Sequence, residues 1–284
     1  MFRERLADPD SGWALLGVLS RREIRTKYRG TVLGNLWSLL NPLAAMVIYT
    51  LGFSFLLRVT PDPGDPSGID VFAVWLLAGL LPWNFFSNAM SAGMGSLLGN
   101  EGLLKKVFFP RWVLVGSQTI SWFVTFLIEL LVLVVVLLIV GGRPLVFIPF
   151  VLVLAVLLAV MAHGWAMGLS IGLVYFRDLQ YLLGIVLQIW FFLTTIVYPP
   201  SVVAKAIAST EAGHHDILGH TPPIRLFYEL NPMQHFVDAF RNLLYDNRLP
   251  TLTEWAWCAG FAIGYLAIGY LIFRRFSPTI VEEL

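Results

Sequence analysis

The chain is short of charge and nearly free of cysteine. Asp, Glu, Lys and Arg make up 13% of its 284 residues, against roughly 25% in an ordinary soluble domain. Apolar residues make up 57% and the mean hydropathy is +0.75. A length that would suit two soluble domains is therefore better assigned to several membrane spans. The single cysteine, Cys258, excludes an intrachain disulfide and a cysteine-based metal cluster. No G-x-x-x-x-G-K-[ST] phosphate loop occurs, nor one Gly-Lys pair, nor a G-x-S-x-G elbow, nor H-E-x-x-H. The acids are scattered. Asp62, Asp65 and Asp70 cluster in a proline-rich stretch with no nearby base, which reads as a solvated loop. A membrane-embedded glycosyltransferase would need a convergent acid pair that the sequence does not offer. A secretory signal is also missing, because the first apolar run begins only after residue 30 and is too long for one. The N-terminus is expected to remain in the mature chain.

What the sequence does contain is a basic collar against a charge-free run. Arg21, Arg22, Arg25, Lys27 and Arg29 face one acid, Glu23, and no charge follows from Thr31 to Leu57. Such a collar stays out of hydrocarbon and such a run enters it. Charge-poor runs predict six transmembrane helices, at about 32–57, 71–94, 112–140, 144–174, 179–200 and 255–273. Each reaches the ~20 residues that cross ~30 Å of hydrocarbon. If the termini are cytoplasmic, 13 of the 19 Lys and Arg residues lie inside and 6 outside. The positive-inside rule favours that orientation. The expected fold is thus an all-α integral membrane protein. Residues 1–31 form a cytoplasmic N-terminus with an interfacial helix, 32–273 the six-span domain and 274–284 a cytoplasmic tail.

The interfacial helix is expected at 11–30, with Arg22, Arg25 and Arg29 on one face and Trp13, Leu16 and Ile24 roughly opposite. Asn231-Pro232 reads as an N-cap followed by proline at the first helical position. Phe236, Val237, Phe240, Leu243 and Leu244 then mark an apolar face. That helix is too short to span, so short re-entrant or interfacial helices are expected on the outer side between spans five and six.

Polar residues inside the spans are few. Ser117, Ser121, Thr125 and Glu129 recur every four residues, as a channel lining or as an interhelical hydrogen-bond seam. His163 reads as a packing residue, although with Glu129 it could carry protons in a secondary transporter. Gly164, Gly168 and Gly172 form a small-xxx-small face for close helix approach. His214, His215, Asp216 and His220 lack a helical register to orient them on a metal. Gln188, Phe192 and Thr195 share one face of span five. Asn41, Ala45 and Tyr49 share one of span one, with Phe53 a turn on. Mixed aromatic and polar stripes suit a carbohydrate better than an ion.

Three stretches resemble one family. Arg21-Arg22-Glu23-Ile24-x-x-Lys27-Tyr28-Arg29-x-x-x-Leu33-Gly34-x-x-Trp37-x-x-x-x-Pro42 is similar to the N-terminal signature of ABC-2 type exporter permeases, in the branch exporting polysaccharides and teichoic acids. Asn100-Glu101-Gly102-Leu103-Leu104-Lys105-Lys106-Val107-x-x-Pro110-Arg111 resembles its stretch between spans two and three. Leu230-Asn231-Pro232-Met233 and Phe240-Arg241-Asn242-Leu243-Leu244 resemble its pattern before the last span. The resemblance implies a homodimeric permease in the bacterial cytoplasmic membrane that is not itself an enzyme. It binds no cofactor; ATP and Mg belong to a separate ATPase subunit. The other expected partners are a second copy, membrane lipid and a lipid-linked glycan, not nucleic acid. Arg22, Arg25, Glu101, Lys105, Lys106, Arg177 and Asp178 are the implied ATPase contacts. Tyr49, Phe53, Gln188, Trp190, Phe192 and Thr195 are the candidate channel residues. An ABC-2 exporter of a drug or small lipid would share the architecture.

Overall fold

The computed structural model describes residues 9–27, 30–31, 34–56, 58, 62–211 and 224–280. Among them every regular element is helical. The chain runs through α1 (Pro9–Lys27), α2 (Trp37–Tyr49), α3 (Phe72–Gly95), α4 (Glu101–Leu104), α5 (Trp112–Val140) and α6 (Ile148–Tyr175). It continues through α7 (Leu179–Leu193), α8 (Pro200–Glu211), α9 (Ile224–Glu229), α10 (Pro232–Leu244) and α11 (Leu252–Phe276). The histidines at 214, 215 and 220 fall outside the described residues.

Four helical segments are long and apolar enough to cross a bilayer: Phe72–Gly95, Trp112–Val140, Pro144–Tyr175 and Leu252–Thr279. They match the second, third, fourth and sixth expected spans. Local chemistry sets their ends. Val140 is followed by Gly141 at φ 93°, a left-handed turn that glycine accepts without a Cβ penalty. Thr251 and Glu254 close a capping box at the start of α11.

The first and fifth expected spans are shorter apolar helices, Leu40–Leu56 and Leu179–Leu193. In the first, α2 passes into a π-helical stretch over Thr50–Leu56. In the fifth, expected to 200, the helix stops at Leu193 and Thr194 is extended. Residues 194–199 then run irregularly to Pro200.

α3 lies at the centre, packed against α5, α6 and α10. Phe85 stacks on Phe126 of α5 at 4.9 Å, and Phe126 meets Phe240 of α10 edge-on at 5.9 Å. Lipid is as apolar as these side chains, so close fit rather than water exclusion holds such helices together. The glycines of span four show this. A Cβ on Gly269 of α11 would overlap the Gly164 carbonyl, and one on Gly164 would meet the backbone of Tyr265 and Leu266. Gly168 also faces Gly269, whereas Gly172 makes room for Leu179 at the start of α7.

α10 dips in among α3, α6 and α11, and nearly all its residues are buried. Asn231 caps it, accepting from the Met233 and Gln234 amides. The loop before α3 is irregular but fastened: Ser67 Oγ donates to the Tyr245 carbonyl at 2.6 Å. α1 lies along α5, with Leu16 and Leu19 buried and Trp13 edge-on to Trp112 at 5.1 Å. Its buried stripe is thus rotated from the expected one of Trp13, Leu16 and Ile24; Trp13 stays 65% exposed.

Candidate functional site

α2, α3 and α7 enclose a half-open groove of about 550 Å³. Tyr49 of α2 and Gln188 and Phe192 of α7 line it, three of the six candidate channel residues. The facing wall was not singled out in the sequence. It is Asn84, Ser87, Asn88 and Ser91 of α3, at i, i+3, i+4 and i+7. Hydroxyls and amides do not interrupt a charge-free run, so this stripe is visible only when its spacing is sought. Asn88 Nδ2 and Ser91 Oγ donate to carbonyls one turn back, at 2.7 Å each. Their remaining donor and acceptor capacity faces the groove. Tyr49 and Phe191 lie 6.4 Å apart, and Phe191 and Phe192 5.4 Å apart. Ring faces and neutral hydrogen-bonding groups therefore share one concave surface that carries no charged side chain. Such a surface binds bulky, neutral, hydroxylated molecules through many weak contacts.

The other three candidates sit elsewhere. Phe53 lies beyond the groove against Tyr49, at 6.1 Å. Trp190 turns into the core, where its Nε1 donates to Asn231 Oδ1 at 2.8 Å and its ring meets Phe86 at 5.3 Å. Thr195 does not continue the face of Gln188 and Phe192, because α7 has already ended. It is fully buried, accepting from Gln234 Nε2 at 2.7 Å. A proline pair after the segment and a side chain of α10 account for this. Arg241, 5% exposed, donates to the carbonyls of Thr195 and Ile196 and sits 3.7 Å over the Trp75 ring. Pro199 and Pro200 have no N–H to offer the Thr195 and Ile196 carbonyls in a continued helix, and the buried guanidinium takes both oxygens instead.

The polar stripe of α5 faces protein. Ser117, Ser121 and Thr125 are buried, and Lys27 Nζ donates to Thr125 Oγ1 at 2.9 Å. His163 Nδ1 meets Thr119 Oγ1 at 3.1 Å. Both fit a seam between helices.

The basic segments gather at one end of the bundle. Arg22 of α1 donates to Asn100 Oδ1 at 3.3 Å, beside α4. Lys105 bonds Glu101 at 2.6 Å, and this pairing, helped by Arg177, holds the Glu101 carboxyl below its ordinary range. Arg25, Lys106, Arg177 and Asp178 are exposed. The three sequence segments thus form one solvent-facing charged surface.

The sequence pattern of the family described as ABC-2 type transporter matches residues 14–209. The O-antigen export system permease protein RfbA of Myxococcus xanthus is 30% identical over 273 residues, covering 95% of each chain. A protein of the same description from Klebsiella pneumoniae is 28% identical over 192 residues, covering 67% of this chain and 71% of that one. The polysialic acid transport protein KpsM of Escherichia coli is 24% identical over 267 residues, covering 90% and 91%. With a family pattern over most of the sequence and a relative aligned almost end to end, the chain belongs to the ABC-2 type transporter family.

Proposed function

We propose that the chain is the permease subunit of an exporter that carries a lipid-linked polysaccharide from the inner to the outer face of the bacterial cytoplasmic membrane. The observation that carries this reading is the uncharged aromatic-and-amide groove between α2, α3 and α7. The relatives described as O-antigen export permeases point to a polysaccharide cargo. A separate ABC ATPase binds and hydrolyses ATP with Mg and provides the phosphate loop that this chain lacks. It docks on the surface of Arg22, Arg25, Glu101, Lys105, Lys106, Arg177 and Asp178. α2 and α7 complete a six-span domain over 32–273. Their exposed apolar faces, Val47, Ile48 and Leu51 on one and Ile185, Ile189 and Leu193 on the other, meet a second copy. The two grooves then join about the two-fold axis as one path. The long glycan slides because each ring contact is weak.

The test is export by the chain co-purified with its ATPase. Tyr49→Ala or Phe192→Ala alone should lower export roughly threefold and the pair about tenfold, with assembly intact. Asn88→Leu, which removes hydrogen bonding but not bulk, should act like the pair. Normal export by an assembled double variant would place the path elsewhere. Export without any ATPase would overturn the reading altogether.

Orientation is tested separately, in a Cys258→Ser background. Asp70→Cys should react with an impermeant thiol reagent in intact cells and Lys106→Cys only after lysis. Both positions are exposed. Gly64 would be a poor choice in the same loop, because a Cβ there would come 2.9 Å from the Tyr245 carbonyl. The reverse labelling pattern would invert the topology.

A further inference from the structure

A second and larger cavity, about 880 Å³, lies between α1, α5, α6 and α11, away from the groove. It begins at the charged end of the bundle, where Arg111 precedes α5 and Arg274 ends α11. Its deepest residue along α6 is His163, twelve residues before the helix end at Tyr175. At 1.5 Å per residue that is roughly 18 Å, close to one leaflet's depth of hydrocarbon. Between these limits the walls are apolar or aromatic, among them Trp112, Met167, Leu266, Tyr270 and Phe273. Trp13 and Tyr270 also line it and are exposed, and such residues favour the membrane–water interface.

A cleft of this shape beside membrane-crossing helices is filled by lipid, and the charges at its mouth decide which. Among the described residues no carboxylate pairs with Arg111 or Arg274; Arg111 Nη1 reaches only the Ser277 hydroxyl, at 3.5 Å. We propose that this cavity is a binding site for an anionic phospholipid of the cytoplasmic leaflet, with Arg111 and Arg274 on its phosphate and an acyl chain along Met167 and Leu266 toward His163. Two guanidiniums at headgroup depth above an apolar slot supply charge-assisted hydrogen bonds and chain contacts together. Burial also lowers the pKa of Arg111 from its ordinary value, the mark of a desolvated charge that a phosphate would compensate. The leaflet rests on the orientation argued above; the ligand class does not. The site joins the interfacial helix α1 to three spans, so an occupied cavity braces the helix on which the ATPase reading depends.

The experiment uses the permease with its ATPase, released from nanodiscs containing phosphatidylglycerol and phosphatidylethanolamine, and weighed by native mass spectrometry. One phosphatidylglycerol per permease chain should be retained in preference to phosphatidylethanolamine. Arg111→Gln with Arg274→Gln should reduce retention about tenfold, and the double lysine variant should keep most of it. Arg275→Gln, whose guanidinium lies 5.8 Å from the Phe276 ring outside the cavity, should have no effect. Equal retention of the two lipids, or equal loss with Arg275→Gln, would overturn the site. So would retention of the glycan's own carrier lipid, or no lipid at all because a protein surface covers the cavity. Lipid binding is read without transport. Lost export with phosphatidylglycerol still bound would leave this inference standing, and lost binding with export intact would end it alone.

Discussion

Gly269→Leu is expected to leave almost no folded protein. The α6–α11 crossing is the most extensive helix contact in the bundle, and its centre has no side chain on either helix. A Cβ at 269 would overlap the Gly164 carbonyl, which cannot rotate away as a side chain could. The helices must separate, and with them the stack of Trp165 on Tyr265, centroids 4.8 Å apart. Gly269→Ala should already cost about 1–3 kcal/mol, the usual penalty of overpacking. The leucine variant should exceed that and fail to accumulate as a monodisperse species in mild detergent. Gly260 and Gly264 of the same helix face open space, so alanine there should be neutral or gain up to about 1 kcal/mol in helix propensity. The yield of monodisperse protein for Gly269→Leu, and thermal unfolding of the three alanine variants followed by tryptophan fluorescence, make the comparison. Normal stability of Gly269→Leu would mean that α6 and α11 do not cross at these glycines.

Removal of Arg241 should be nearly as damaging, by a different route. Its guanidinium gathers the carbonyls of Trp75, Thr195 and Ile196, which belong to α3 and to the segment after α7. Arg241→Leu keeps the volume and strands three buried acceptors, each costing about 1–3 kcal/mol when unpaired. A loss of at least about 3 kcal/mol is expected, a fall in melting temperature of roughly 10 °C at this size. Arg241→Lys, with one ammonium in place of a fork, should recover about half. Arg248→Leu is the control. It is exposed and bonds only Asn242 and Asp246, so its cost should stay under about 1 kcal/mol. Equal melting temperatures for the two leucine variants would show that Arg241 is a surface charge after all.

These two positions also show what can be read from the residues and what cannot. Gly164, Gly168 and Gly172 announce a close approach by spacing alone, because a glycine every fourth residue is a groove on a helix. Their partner is harder to find: Gly269 is one of three glycines in α11, and only the crossing distinguishes it from Gly260 and Gly264. Arg241 looks like one more outer charge until its surroundings are known. A hydropathy pattern reports whether a segment avoids water; it carries no record of a cation elsewhere that will claim the segment's carbonyls. The break itself is local, since Pro199-Pro200 cannot continue a helix: α7 ends at Leu193 rather than near 200, and Thr195 leaves the expected stripe. Asn231-Pro232 is the opposite case. The helix start is legible because an N-cap acts within three residues, yet its second task, holding Trp190 across 41 positions, is not. The shared faces of Tyr49 and of Gln188 with Phe192 are legible from local periodicity, and the α3 stripe opposite them obeys the same rule.

The fastening of residues 195 and 196 to Arg241 has one more consequence. Two of its anchor points there are peptide oxygens, which every amino acid possesses. A substitution of Thr195 or Ile196 that fits the buried space leaves those oxygens in place and keeps the link, whereas one codon change at 241 can sever it. The tie is thus insensitive to spelling on one side and wholly dependent on it on the other. A library of residues of similar size at the buried positions 195 and 196, together with 241, should return this asymmetry directly: several residues recovered at the first two, arginine alone at the third.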